Sequence, residues 1–508
     1  MCQRKKYSLA PHHSVKKRAR FQIYNQETDN ILMINQGMNY AWTPKDFYCM
    51  KHDSFFVNGG GCPMDKEWHE LTPEQKREER FQKWLSPPDI QFKSPEAQQT
   101  YKERATRIYN ALRVREPDRV PVTLPIGNFP AYYAGKTLQD VMYDYEELRR
   151  VWTRFMYDFY EDMDTFNGPF LTYSGKVLEI LDYKLYRWPG KGLGSEVNTY
   201  QFMEGEYMTA DEYDTMIKDP SDFALRWIIP RTIGAMAPVK KSMSFSSLLS
   251  RPLNITMPFA VPEIRQAFQA MIRAGEEYEI WLKSVLAFNR EALAAGFPSL
   301  RGGMAVAPFD TIGDSLRGTR GAIMDIYRQP EKLLEALDVI TRLTVKNTIA
   351  TVNATGGFMV TFPLHKGDDT FMSNEQFERF YWPSLREVIL NLMDEGIMVM
   401  LFAEGRYEKR LDMIKDFPKG WVSWHFDQTD MEKAKRALGD MNCIMGNVPS
   451  SLMVSGTPKE VKDYCCNLIE KCGKGGGYIL AGGCSATESN PDNFRAMMQA
   501  VRECGVYG

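Results

Sequence analysis

The sequence predicts an α/β protein built on a (β/α)8 TIM barrel, with an N-terminal extension and a long insertion after the second strand. The first observation is that short apolar runs alternate with helical patterns from about residue 94 onward. The second is that eight such runs occur, which is the strand number of this barrel. The third is that most of the runs end in a polar side chain, as the strands of barrel enzymes do.

The strands are expected at the eight apolar runs 120–126, 164–168, 301–307, 358–364, 397–402, 421–426, 442–445 and 478–481. Helical patterns between them cover 137–162, 261–295, 330–353, 374–395 and 491–504. Residues 170–260 carry glycine turns and aromatic stretches without the barrel rhythm. They are therefore predicted to form an insertion after strand two, of the kind that builds substrate loops.

The chain before the barrel divides into two parts. Residues 1–20 are basic and irregular, which predicts a disordered tail. Residues 21–95 form the predicted N-terminal extension, in which Thr72 is expected to cap a helix. The barrel domain is expected to span 96–508.

Composition excludes several classes of function. The net charge of −2 offers no global field for nucleic acid or a membrane, and no apolar run reaches the roughly 18 residues that span a bilayer. The N-terminus lacks the apolar core of a signal peptide, so a cytoplasmic location is expected. Nine cysteines, an odd number without a paired CxxC motif, predict reduced thiols.

Polar residues follow the predicted strands at the points where a barrel opens its active site. These polar residues are Asn128, Asp310, His365, Glu404, Asp427, Asn447 and Cys484. Strand ends of a barrel converge on one face, so these side chains together predict an enzyme. For Glu404 alone, the alternative is that it only caps the following helix.

Two kinds of chemistry are compatible with this set. His365, Glu404 and Cys484 would make a three-ligand zinc site with one open position, able to polarise a bound atom. Without a metal, Glu404 and Asp427 could act as a general acid and base. Alternatively, His365 bonds to Asp368 or Asp369 and Cys484 is a small residue in a tight turn. His425 alternates with Trp424, so only one of the two faces the interior.

The C-terminal half resembles a known family. The segments HKGDDTFMSNEQFERFYWP, LFAEGRYEKRL and IMGNVPSSLMVSGTPKEVKDYC, with ALRVREPDRVPV near residue 111, resemble the uroporphyrinogen decarboxylase superfamily. The resemblance covers roughly residues 100–508. It implies a (β/α)8 barrel that is either a decarboxylase or a zinc methyltransferase exchanging methyl groups with a corrinoid protein.

The segment after strand one departs from the true decarboxylases. They carry an arginine-rich RQAGRY stretch that holds the substrate carboxylates, whereas residues 127–133 here read GNFPAYY. A smaller, flatter and less charged substrate is therefore expected. The expected substrate contacts are Asn128, Phe129, Tyr132, Phe309, Phe402 and His425.

The methyltransferase branch of the superfamily carries zinc ligands in an LHxCG motif on strand five and a cysteine on strand eight. Here LFAEG puts Phe402 at the histidine position and Glu404 at the first cysteine position, and Cys484 matches the second cysteine. The histidine of the family's motif is absent, and His365, from the neighbouring strand, could supply the missing nitrogen.

The leading hypothesis is a methyltransferase that moves a methyl group from a small methoxylated or methylated compound to a corrinoid (cobalamin), carried by a partner protein or free. Its expected catalytic residues are Glu404, Asp310, Asp427 and Asn447. The alternative is a lyase that decarboxylates a small carboxylate or a modified tetrapyrrole. A third hypothesis is a non-catalytic corrinoid or tetrapyrrole carrier. A homodimer is also among the expected assemblies.

Overall fold

Seven strands of the barrel form one parallel sheet in the computed structural model, which describes residues 67–166, 168–300 and 302–507. The strand order is β1-β10-β9-β8-β7-β6-β5. These strands are β1 Val122–Thr123, β5 Gly303–Met304, β6 Met359–Leu364, β7 Met398–Ala403, β8 Val422–Phe426, β9 Cys443–Met445 and β10 Tyr478–Ala481. The predicted (β/α)8 fold is confirmed, and every neighbouring pair in the sheet is parallel.

In the expected second strand, 164–168, the described residues 164–166 and 168 form no strand. The Asp164 amide donates to the carbonyl of Val122 in β1 at 3.1 Å, which places the segment beside β1. Its carboxylate then accepts bonds from Arg107, from Arg119 and from the Val122 amide at 2.7–2.8 Å. Ion pairs between a buried carboxylate and two guanidinium groups hold this segment here, instead of the hydrogen bonds of paired strands. The apolar pattern of the sequence does not reveal such ion pairs.

Eleven α-helices of seven or more residues lie in the described part of the chain. They are α1 Pro73–Leu85, α2 Pro95–Leu112, α3 Tyr145–Asp158, α4 Gly175–Leu181, α5 Pro262–Ala294, α6 Gly318–Arg328, α7 Pro330–Thr355, α8 Trp382–Asp394, α9 Met431–Leu438, α10 Pro458–Cys472 and α11 Pro491–Cys504. The predicted helix 137–162 is split by Asp144, whose carboxylate caps α3 by accepting from the amides of Glu146 and Glu147. A cap inside an otherwise helical pattern ends one helix and starts another.

The strands alternate between two environments. Their outward residues, such as Val360, Leu401 and Trp424, are buried under the helices. Their inward residues, such as Met359, Met400 and Met445, form a second apolar cluster inside the barrel. Successive strand residues point to opposite faces, so the two clusters follow directly from the near-continuous apolar runs of the sequence.

Helix α1 closes the end of the barrel where the strands begin. Phe81 is fully buried and its ring lies 4.9 Å from that of Phe358, the residue before β6. The Arg77 guanidinium stacks 3.8 Å from the Trp421 ring, before β8, and donates to the Gly420 carbonyl. Ligands must therefore enter at the opposite end, where the strands finish.

The insertion after the second-strand position carries a small sheet of its own. Strands β2 Tyr186–Pro189, β3 Gly192–Leu193 and β4 Gln201–Phe202 pair in the order β3-β2-β4. Short helical turns and 3-10 turns follow as far as Ala260, where α5 is about to begin. The predicted tail 1–20 and most of the extension 21–95 lie outside the described residues.

The cysteine expectation is wrong for one pair. Cys466 of α10 and Cys504 of α11 form a disulfide, whereas Cys443, Cys465, Cys472 and Cys484 are free. The two helices pack along each other, and a separation of 38 residues gave no sign that these two side chains face one another. Within the described residues no helix is both long and apolar enough to cross a bilayer.

The Asp164 cluster gives a stability prediction. Asp164→Asn should cost about 3–5 kcal/mol of unfolding free energy, because it leaves Arg107 and Arg119 without their buried counter-charge. Asp118→Asn is the matched control, since Asp118 pairs with the same Arg107 while its side chain is 61% exposed. The control should lose about 1 kcal/mol or less. Denaturant unfolding measures both, and equal losses would contradict the role given to Asp164.

Candidate functional site

The open end of the barrel, called the pocket below, has a largely apolar wall. Its inward side chains are partly exposed and alternate with more buried outward neighbours; they are Thr123, Pro125, Met304, Val306, Pro363 and Phe402. Met304 is 53% exposed and Val306 is 37% exposed, although both sit on a barrel strand or its direct continuation. An apolar wall with few polar groups is typical of small-molecule sites.

His365, after β6, lies between two carboxylates. Its Nδ1 is 2.5 Å from Asp314 Oδ2, and its Nε2 is 3.6 Å from Glu404 Oε1. Burial opposes the charged imidazole, but the hydrogen bond to Asp314 and the charge of Glu404 outweigh it and raise the pKa of His365 to about 9. The imidazole is therefore protonated at neutral pH.

Glu404 is part of this site and does not cap a helix. The turn that follows it begins at Glu408, with Tyr407 in the cap position. Burial raises the pKa of Glu404, with Asp427 adding to the effect and His365 opposing it. The alternative of a mere capping residue is thereby removed on geometric grounds.

Asp310 lies beneath His365 and is fully buried. Its carboxylate accepts from the backbone amides of His365 and Lys366 at 3.0 Å and from the Tyr381 hydroxyl at 2.8 Å. Burial and the nearby Asp314 raise the pKa of Asp310 to about 7. Asp310 thus holds the backbone that carries the histidine, rather than facing the pocket.

Sequence reasoning missed Asp314. It lies on the π-helical turn Thr311–Leu316, one turn after Asp310, and also bonds to Lys366 Nζ at 3.2 Å. The signal that could have found it is the pair of aspartates spaced four residues apart after strand three, which a helix places on one face. In the alternative to a metal site, His365 would bond to Asp368 or Asp369, but its Nδ1 is bonded to Asp314, and Asp368 accepts from the amides of Thr370 and Phe371.

Asp427, Asn447 and Cys484 form a second group beside the first. All three line an open cleft of about 750 Å³ whose wall also carries Ser450 and Tyr464. Asp427 Oδ2 accepts from the Gly405 amide at 3.2 Å, and Asn447 donates to the Thr429 carbonyl at 2.8 Å. The sulfur of Cys484 lies 3.5 Å from Ser450 Oγ.

The predicted zinc trio is not assembled. His365 and Glu404 are neighbours, but Cys484 belongs to the cleft group and contacts Ser450. Among the described residues, no three His, Cys, Asp or Glu side chains are grouped so that they could hold a metal ion. In addition, the Nδ1 of His365 is occupied by Asp314. The side chains present do not fit the predicted metal.

The predicted substrate contacts divide between pocket and core. Phe402 and His425 face the pocket, with their rings 4.6 Å apart. His425 Nε2 donates to the Gly482 carbonyl. Of the alternating pair, His425 therefore faces the interior, and Trp424 is buried on the outward side. Phe129 and Phe309 are fully buried, and Phe129 packs on Phe155, Phe159 and Phe494. Both therefore pack in the core and do not present a surface to a ligand.

Asn128 and Tyr132 lie at the strand-one side of the open end. Asn128 accepts from the Thr172 hydroxyl at 3.0 Å and so ties the insertion to the end of β1. Tyr132 is 44% exposed. Asn128 is already engaged within the protein, which gives it a structural contact in addition to any contact with substrate.

Aromatic residues of the insertion cover part of the open end. Tyr186 lies at the centre of a cluster, with ring distances of 5.7 Å to Tyr173, 5.9 Å to Tyr200 and 5.7 Å to Phe202. The cluster is anchored on one side by the Thr172–Asn128 bond and on the other by Glu204, which accepts from the Thr319 amide. The insertion therefore bridges the gap left at the second-strand position.

This arrangement matches one family. Residues 288–504 match the family model described as uroporphyrinogen decarboxylase (URO-D). This part of the chain is similar to that family, which confirms the resemblance seen in the sequence. The matched residues include His365, Glu404, Asp427, Asn447 and Cys484.

Two curated relatives and one solved structure are also similar to this chain. The uroporphyrinogen decarboxylase of Coxiella burnetii is 22% identical over 288 residues, which is 53% of this chain and 78% of the relative. That of Cellvibrio japonicus is 24% identical over 197 residues, or 38% and 53% of the two chains. A solved methyltransferase from Methanosarcina mazei has a TM-score of 0.50 at 15% identity, covering 80% of this chain and 98% of the other. At that identity the likeness is one of fold.

The histidine–carboxylate contact gives a titration prediction. Asp314→Asn should lower the pKa of His365 from about 9 toward its ordinary value near 6.5, because the main favourable partner of the imidazolium is lost. The wild-type pairing stabilises the fold fully below about pH 6.5, and this stabilisation is lost as the pH rises through 9. NMR of histidine-labelled protein measures the titration.

Asp427→Asn is the control for this titration, because it removes a carboxylate from the same end of the barrel without touching His365. The His365 titration should stay near its wild-type position in the control. An unchanged His365 pKa in Asp314→Asn, or equal shifts in both variants, would contradict the pairing.

Proposed function

We propose that this protein is a methyltransferase that removes a methyl group from a small methylated compound, with His365 acting as the general acid on the departing atom. The observation that carries the proposal is the position of the His365 imidazole between Asp314 and Glu404 at the open end of the barrel, a contact that raises its pKa to about 9. The methyl acceptor in the proposal is a reduced corrinoid, free or on a partner protein, which when bound supplies the nucleophile.

Proton donation is the step that a methyl ether requires. Loss of the methyl group leaves an alkoxide or phenolate, a poor leaving group unless it is protonated as the bond breaks. His365 remains protonated up to about pH 9, so it can hold this proton at neutral pH. The site thereby supplies, without a metal, the acid assistance that an ether oxygen needs.

The geometry leaves one nitrogen of His365 available to a substrate. Nδ1 donates to Asp314, which orients the ring and stabilises its charge. Nε2 is 3.6 Å from Glu404 Oε1, longer than a hydrogen bond, so its proton is not committed to that carboxylate. An ether oxygen that enters between the two could accept the proton from Nε2.

The rest of the pocket supports a small and weakly charged donor. Met304, Val306 and Phe402 offer an apolar wall to the body of the substrate. The carboxylates of Asp314, Glu404 and Asp427 would repel a polyanion, and residues 127–133 contain no arginine to offset them. The fold likeness to the Methanosarcina mazei methyltransferase is consistent with this choice.

Decarboxylation is the second candidate, because both relatives named above are uroporphyrinogen decarboxylases. A protonated His365 could deliver a proton to the carbon that loses carbon dioxide. Release of carbon dioxide from a small carboxylate, without methyl transfer from any donor, would favour this candidate.

His365→Asn should lower kcat/KM for methyl transfer from ethers by about 10²–10⁴-fold, the usual contribution of a general acid. The assay follows methylation of reduced cobalamin with a panel of methoxyarenes, alkyl methyl ethers and methylated amines. The loss should be greatest for the ethers with the poorest leaving groups, because these depend most on the proton.

Cys484→Ala is the control, since Cys484 contacts Ser450 and not the His365 pair. Its rate should stay within a few-fold of wild type, before and after treatment with a chelator. Abolition of activity in Cys484→Ala with survival in His365→Asn would contradict the acid mechanism and favour a metal. Absence of transfer from every donor would overturn the proposed function.

A further inference from the structure

The insertion ends in a projection that the proposed reaction does not use. Residues 234–274, named the arm here, comprise a series of 3-10 turns and the first part of α5. The arm has a small core of its own, formed by Met236, Val239 and Ala267 with Phe268 packed against it. It is thus a folded feature in its own right.

The arm extends beyond the open end of the barrel. The Trp281 indole of α5 donates to the Thr172 carbonyl at 3.0 Å, and the Thr172 hydroxyl bonds to Asn128 at the end of β1. Trp281 therefore marks the level of the open end on α5. The helix begins at Pro262, which places its start about 28 Å beyond that level at 1.5 Å per residue.

The outer surface of the arm is apolar at its tips. Leu249 is 91% exposed, Leu253 is 79% exposed and Met257 is 60% exposed. Other large exposed apolar side chains on the arm are Phe245, Ile255, Phe259, Val261, Met271 and Ile272. So many exposed apolar side chains within one segment are typical of an interaction site.

All charged side chains in the segment that carries these tips are basic, and Glu263, at the start of α5, is the first carboxylate after that segment. Between Phe223 and Pro262 the sequence contains five lysines and arginines and no aspartate or glutamate. Arg226 and Arg231 pair with Asp222 and Glu212. Lys240, Lys241 and Arg251 are exposed and form no ion pair within the described residues. The apolar tips are therefore surrounded by unpaired positive charge.

The backbone at the tips is already hydrogen bonded. Each 3-10 turn closes on itself, as in the bonds from Arg251 to Leu248, from Asn254 to Arg251 and from Met257 to Asn254, all at 3.0–3.2 Å. Amides satisfied within the turn lose little when the turn approaches the headgroup region of a bilayer.

We propose that the arm binds the surface of an anionic lipid bilayer, with Leu249, Leu253 and Met257 inserted among the acyl chains and Lys240, Lys241 and Arg251 at the headgroups. Aliphatic tips within a basic rim are the chemistry that recognises such a surface. A second copy of the chain fits less well, because a two-fold contact would place this basic rim against itself.

The net charge of −2 is a sum over the whole chain and does not report a local group of basic residues. Composition alone therefore predicted no membrane partner. The open end of the barrel and the arm lie on the same side of the molecule. A bilayer bound by the arm would therefore face the entrance of the pocket.

Co-sedimentation of the purified full chain with vesicles tests the proposal. Binding to vesicles of equal phosphatidylglycerol and phosphatidylcholine should be at least tenfold tighter than to phosphatidylcholine alone, and should weaken in 0.5 M salt as the headgroup attraction is screened. The double variant Leu249→Asp/Leu253→Asp should bind at least tenfold less.

Tyr327→Asp is the control, since Tyr327 is 70% exposed on α6, outside the arm. It should bind as wild type does, and thermal unfolding of all variants checks that they remain folded. No binding by wild type at physiological salt would overturn the proposal, as would equal binding by the double variant. A dimer in solution that the double variant dissociates, without vesicle binding, would overturn it in favour of a second copy.

Discussion

A protonated imidazole between two carboxylates is the interaction on which the site depends. Asp314 orients His365 through Nδ1, and Glu404 faces the other nitrogen. The backbone that carries the histidine is fixed by Asp310, because the Asp310 carboxylate accepts hydrogen bonds from the backbone amides of His365 and Lys366. Three carboxylates from the ends of strands three and five thus surround one side chain from strand four. These three strands are neighbours in the parallel sheet, so their ends lie side by side at the open end of the barrel.

The gap at the second-strand position shapes the rest of the open end. With no ladder there, Asp164 and two arginines hold the segment to β1, and the inward side chains of β5 and its continuation remain partly exposed. The insertion that follows bridges the gap through Asn128 on one side and Thr319 on the other. The apolar wall of the pocket and its aromatic cover therefore both follow from one missing strand. The same insertion carries the basic, apolar arm.

The barrel could be predicted from the sequence because its signal is repeated along the chain. Seven apolar runs became strands. His365 and Glu404 lie close together because the strands that they follow are neighbours in the sheet. The run predicted as strand two did not become a strand, because a buried ion-pair cluster around Asp164, rather than strand pairing, holds it. Asp314 was missed because it lies on a helical turn and not at a strand end. Cys484 was predicted to join His365 and Glu404, but it lies with Asp427 and Asn447. A position at a strand end indicates the end of the barrel but not the direction of the side chain. Phe129 and Phe309 look like pocket residues in the sequence, yet both are packed in the core.

The central claim is that His365 donates the proton that the departing atom needs. The most direct test is the pH dependence of kcat/KM for a methyl ether, which reports the ionisation of the free enzyme. The account predicts that the rate falls as the pH rises through about 9, and that Asp314→Asn moves this fall toward pH 6.5. A rate that is level from pH 7 to 10, or a fall that does not move in Asp314→Asn, would contradict it.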